Sequence, residues 1–156
     1  AQRSLSMIAK NCGGKVPVRG ELLSPDMEIL ALADGIHAEA RAAHDTYAIN
    51  RALDAIWRVV ADANRYFAGQ EPWALKKTDP ARMETVLYVT AEVLRVIGIM
   101  AQPYVPSSAA QLLDLLAVPE NQRSFAQLSG RLHSGTALPP PHPIFPRYVE
   151  EEASAG

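Results

Sequence analysis

"DPARMETVLYVTAEVLRVIGIMA", residues 79–101, decides the fold. Asp79 and Pro80 are residues that open helices. Behind them Met83, Leu87, Thr90, Leu94, Ile97 and Met100 recur at steps of three or four, and Val86, Val89, Val93 and Val96 widen the stripe. A helix apolar over so much of its circumference sits at the centre of a bundle. Working outward, residues 46–68 carry the clearest amphipathic stripe (Ile49, Leu53, Ile56, Val60, Ala63, Phe67), ended by Gly69. Before it, Ser24, Pro25 and Asp26 open a helix to about His44, with a weak, alanine-rich stripe of Leu30, Ala33, His37 and Ala40. Residues 1–11 read as the end of a helix stopped by "NCGG". Two shorter helices are expected over 107–117 and 122–132. Five prolines within 139–146 forbid a helix there and favour an extended strap. No segment alternates as a strand does, and no repeat stands out. The expectation is an all-α antiparallel bundle of five to six helices over residues 1–138, with an extended Pro-rich strap and tail over 139–156.

Composition narrows the function. A chain of 156 residues, 48% hydrophobic and 21% charged, is an ordinary globular domain. Its net charge of −2 argues against sequence-blind nucleic-acid binding, DNA included, which depends on many phosphate contacts. A small site that reads a few bases remains open. Cys12 is the single cysteine, so the chain holds neither an internal disulfide nor a zinc knuckle. No apolar run reaches membrane-spanning length and no signal-peptide pattern is present, which makes cytosol the default and a membrane partner unexpected. An apolar stripe (Leu5, Ile8, Ala9) begins at once after Ala1, as in a helix cut in the middle, so the chain reads as a fragment of a larger protein.

The break "GQEPWALKKTDPAR", residues 69–82, places Trp73 behind Pro72 at a bend, with Lys76 and Lys77 close by. Trp73 has two readings: a plug for the top of the bundle, or a stacking platform for a flat ligand, its backbone restricted by Pro72. Arg3, Met7 and Lys10 share one face of the first helix. They are either a solvated face or, through the Arg3 fork, a contact to a base edge or phosphate. His37 and His44 lie two turns apart with no carboxylate to complete a metal set, and His133 and His142 have no partner in view. Ser107 and Ser108 are expected to cap the helix over 107–117. No phosphate loop, dinucleotide fingerprint, nucleophile elbow or HExxH motif occurs. The residues alone therefore describe a helical binding module without catalytic groups.

"ALDAIWRVVADANRYFAGQEPWALKKTDPARMETVLYVTAEVLRVIGIMAQPYVPSSAAQLLDLL" resembles the anticodon-binding domain of bacterial methionyl-tRNA synthetases, class I aminoacyl-tRNA synthetases. "NRYF", a short gap and then "EPWALKK" carry the match. "AQRSLSMIAKNCGG" is similar to the stretch joining the catalytic part to this domain, and "LPPPHPIFPRYVEEE" to the family's C-terminal return segment. The resemblance implies that Pro72 and Trp73 stack on the cytosine of a CAU anticodon. It implies a base contact for Arg3, as the Arg of an Asn-Leu-Ala-x-Arg stretch whose Asn would precede Ala1. Lys10 becomes a phosphate or base contact. Asn64 and Tyr66 become structural support, Asn64 by bonding backbone near the helix end. The partners implied are methionine tRNA and the parent enzyme's own catalytic domain. The parent would use ATP and magnesium, whereas this chain would hold no cofactor. The parent's HIGH and KMSKS signatures are absent here, so no ligase activity is expected of this chain alone. Two rival readings stay open: the same domain of another class I synthetase, and a helical protein–protein interaction module. The strap, apolar at Ile144, Phe145 and Tyr148, is expected to pack toward the catalytic domain.

Overall fold

The computed structural model describes residues 2–45 and 49–141. Six α-helices run in order: α1 (Gln2–Asn11), α2 (Ser24–Asp45), α3 (Ile49–Gln70), α4 (Pro72–Thr78), α5 (Pro80–Ala101) and α6 (Pro106–Leu115). Two 3-10 turns follow, Glu120–Gln122 and Phe125–Ser129. The all-α expectation holds, with a single isolated bridge between Lys15 and Ala137 among the described residues.

Helix α5 is the axle. All but a few of its residues are buried, and every other helix packs on it. One core cluster lies on the α2–α3 side, with Ile29, Ile36, Ile56, Val59 and Tyr66 against Val86, Val89 and Val93. A second lies on the α1–α6 side, with Leu5, Ile8, Leu113 and Leu116 against Met83, Leu87 and Ile99. Gly98 lets α6 approach closely, because a Cβ there would meet the Leu113 side chain at 2.9 Å.

The structure departs from the sequence reading in two places. The segment read as a bend is itself a helix, α4, whose first residue is Pro72. A ring that fixes φ and lacks an N–H suits that position. The turn before α4 is made by Glu71 in left-handed conformation (φ 47°), with no glycine. Second, residues 122–132 form no α-helix. The chain there is pinned by tertiary hydrogen bonds from Arg95, which donates to the carbonyls of Gln127, Leu128 and Gly130. The described start of the strap, residues 139–141, lies beside α1 and α6. Leu138 N–H donates to Gly14 O (2.7 Å) and Leu138 packs on the α1–α6 cluster, while Pro139 and Pro141 line a small cavity with Leu5, Ile8 and Leu115. Ile144, Phe145, Tyr148, the tail and His142 lie outside the described residues, as does the His44 side chain.

Two buried ionic networks lock the helices. Glu92, fully buried, accepts from Arg95, from Arg131 and from the Leu132 N–H. Asp26, also fully buried, joins the start of α2 to the end of α3 and the start of α5.

Candidate nucleic-acid interface

Trp73 stands on the first turn of α4. That turn is fixed from three directions. Pro72 is buried beneath it, and Leu75, one turn on, packs into both core clusters. Asp79 ends α4 through its N–H to Leu75 O (2.7 Å) and starts α5 by accepting the Arg82 N–H at 3.1 Å. Arg82 then reaches back with its guanidinium. It clasps both Asp26 oxygens and donates to Gln70 Oε1 (2.9 Å), the last residue of α3. Tyr66 O–H completes the set by donating to Asp26 Oδ1 at 2.5 Å. The α3–α4 corner that carries the indole is thus tied to α2 and α5.

Burial, the largest single influence on the Asp26 carboxyl, pushes its pKa up. The hydrogen bonds from Arg82, Tyr66 and the Leu23 N–H outweigh it and bring the net value below the ordinary 3.8. Burial and then the Asp26 hydrogen bond push the Tyr66 phenol well above its usual range, so it stays a donor. Cys12 sits half-buried at the end of α1, and burial followed by the charge of Glu84 pushes its thiol up to about 11.

The indole of Trp73 is 38% exposed. The Arg3 guanidinium lies over it, 4.4 Å from the ring centroid, and Phe67 meets it edge-on at 6.0 Å with a 60° interplanar angle. Arg3 is exposed, 6.0 Å from the Phe67 ring as well. Three residues from three helices (α1, α3, α4) thus form an aromatic corner with a cation on it, worth about 0.5–1 kcal/mol at an exposed site. The structure brings together Arg3, Pro72 and Trp73. Lys10 is exposed seven residues along α1, about 10 Å farther by helical rise. Lys76 and Lys77 are exposed in the last turn of α4.

Asn64 does not do what was expected of it. Its side chain is exposed on α3 and makes no hydrogen bond to a described residue, so Arg82 and Gln70 hold the corner instead. Phe67, Arg82 and Asp26 were missed as parts of this site. Phe67 was legible only as a core residue. An arginine three residues after the Asp79 cap gave no sign that it would reach a buried carboxylate on another helix. Among the described residues, no three His, Cys, Asp or Glu side chains are grouped to hold a metal ion, and no helix is long and apolar enough to cross a membrane.

A helical bundle that holds one indole half-bare at a rigid corner, with an arginine on its face, defines a class of protein: a helical recognition module. Comparison with known proteins makes it particular. The family model described as "Anticodon binding domain of methionyl tRNA ligase" matches residues 16–155, and the chain belongs to that family. A methionine–tRNA ligase of Brucella suis is 63% identical over 153 residues, 97% of this chain and 30% of the relative. One of Mycobacterium bovis is 49% identical over 160 residues, covering all of this chain and 31% of the relative. The solved apo methionyl-tRNA synthetase of Mycobacterium tuberculosis superposes with a TM-score of 0.92 at 51% identity, over 95% of this chain and 31% of that one. Another structure of that enzyme, bound by methionyl-adenylate, gives a TM-score of 0.91 at 50% identity, over 93% of this chain and 30% of that one. The chain therefore spans about a third of the length of the relatives it matches. The match separates this family from the domains of other class I synthetases and from a generic protein–protein module.

Proposed function

We propose that this domain reads the CAU anticodon of methionine tRNA for a ligase that joins methionine to that tRNA in the cytosol, using ATP and magnesium held by other parts of the protein. The observation that carries the reading is the half-exposed Trp73 ring fixed at the α3–α4 corner under Arg3. Unstacked bases of single-stranded RNA loops are taken up by stacking on such rings and by hydrogen bonds to their edges. The anticodon cytosine covers the open part of the indole, with Pro72 setting the ring's position. The Arg3 fork, already on the indole, turns its donors to the base edge or phosphate. Lys10 meets the backbone farther along α1. Tyr66 supports the corner from beneath through Asp26. The chain's net charge of −2 fits a site that needs few phosphate contacts.

The test is affinity for an RNA hairpin whose loop carries CAU. Trp73→Ala weakens binding by ~1–3 kcal/mol, the range for one base–aromatic stack, and leaves the thermal midpoint nearly unchanged. Replacing the cytosine weakens wild-type binding by a similar amount and adds little to the variant's loss. A variant that unfolds, or one that binds every hairpin as the wild type does, overturns the reading.

A further inference from the structure

Trp57 is the most exposed large apolar residue described, at 64%, and the corner does not use it. Its place on α3 is informative. Leu53, Trp57, Val60, Asn64 and Phe67 fall at steps of four and three, which puts them on one stripe of the helix. Phe67 ends the stripe at the aromatic corner, where it touches Trp73 and Arg3. Trp57 is ten residues before it, about 15 Å away by helical rise. Between them Val60 is half-buried, as is Leu53 one turn before Trp57, and Asn64 is exposed with its amide free of described partners. The neighbouring solvent side of the same helix carries exposed Arg51, Arg58 and Arg65, the latter two paired with Glu39 and Asp62. The corner thus continues along α3 as a line of one free amide and one bare indole, flanked by cations. Aromatic rings interleaved with arginines suit a single strand, since every base has a face to stack and every link a phosphate.

We infer that Trp57 is a second stacking residue for the RNA loop proposed above, taking an unpaired nucleotide a few positions from the one on Trp73, with Asn64 bonding a base edge or ribose between them. The inference rests on the proposed anticodon reading and extends it from one stacked base to a track. It commits to RNA because the stripe is continuous with the corner. The alternative occupant, another part of a longer ligase chain, is an outcome of the test.

Trp57 and Trp73 are the only two tryptophans, so each single-Trp variant isolates one indole. In Trp73→Phe protein, adding the CAU hairpin quenches the emission of Trp57. Trp57→Ala weakens hairpin binding roughly 5- to 150-fold, the loss of one stack, whereas Trp57→Phe retains most of the affinity. An abasic scan of the loop finds one nucleotide, distinct from the anticodon cytosine, whose removal costs the wild type but not Trp57→Ala. Unchanged affinity of Trp57→Ala beside a weakened Trp73→Ala overturns the track and leaves the anticodon reading standing. If Trp57 emission in the full ligase is already shielded from acrylamide without RNA, protein covers it and the inference falls. No binding by the wild type overturns both.

Discussion

Asp26 carries more of this molecule than its place beside a helix-opening Ser-Pro suggests. Its carboxylate is fully buried and accepts from a backbone amide, a phenol and an arginine. Removing one partner of such a pair strands the other without water. Asp26→Ala is therefore expected to cost about 3 kcal/mol, read from urea unfolding. The effect has a pH signature. The folded carboxyl titrates below its ordinary 3.8, so its stabilisation is complete above about pH 4 and is lost as pH falls through the lowered folded value. The gap in stability between wild type and Asp26→Ala is expected to be constant near neutrality and to close in acid. An acid-independent gap would show that Asp26 is not charged in the fold. In the sequence, "SPD" looks like a helix cap and no more. The Leu23 N–H does donate to it at 2.9 Å, but its reach to Tyr66 and Arg82, 40 and 56 residues away, has no local mark.

At the scale of elements, long helices were legible and short ones were not. Helix α5 begins and ends as its pattern predicts, at Pro80 and Ala101, because some six turns of apolar periodicity overwhelm local noise. Helix α4 has seven residues, too few for a period to register, and its Pro72 was read as a breaker when it was a starter. The turn ahead of it also lacks the glycine that normally marks a left-handed residue. Glu71 holds that conformation with an exposed side chain, which costs a non-glycine residue roughly 1 kcal/mol. Glu71→Gly is expected to raise stability by ~0.5–1 kcal/mol in thermal unfolding, leaving hairpin affinity unchanged. A destabilised Glu71→Gly would mean the corner needs the glutamate itself. The region 122–132 failed for the opposite reason. Its local pattern suggests a helix, but Arg95 withdraws three of its carbonyls into bonds with α5.

Across the whole molecule, the Glu92–Arg95 pair ties residues 127–132 to the central helix. Both residues lie on the central helix, at 0% and 4% exposure, in a stretch otherwise apolar. A charged pair spaced by three in such a helix was a signal that the sequence reading passed over. Glu92→Ala is expected to cost about 3–5 kcal/mol, since Arg95 would be left buried without its counter-charge. Hydrogen exchange of Leu132, whose amide Glu92 accepts at 3.0 Å, should accelerate before that of α3. Uniform acceleration throughout would show that the attachment is not local. The aromatic corner was half-legible by comparison: Trp73 and Arg3 could be named from their motif, but the clasp beneath them is made by residues whose partners lie on other helices.

The latch between Leu138 and Gly14 has a consequence for how the site comes into being. Helix α1 brings Arg3 to the indole, yet the loop that follows it is tied down by Thr136 and Leu138, which donate or accept across to Val16 and Gly14. A growing polypeptide emerging from the ribosome makes Arg3 well before Thr136 and Leu138, which form the fastening. A product stopped short of Thr136 would hold every side chain of the corner and still lack the tether on the helix that delivers its cation.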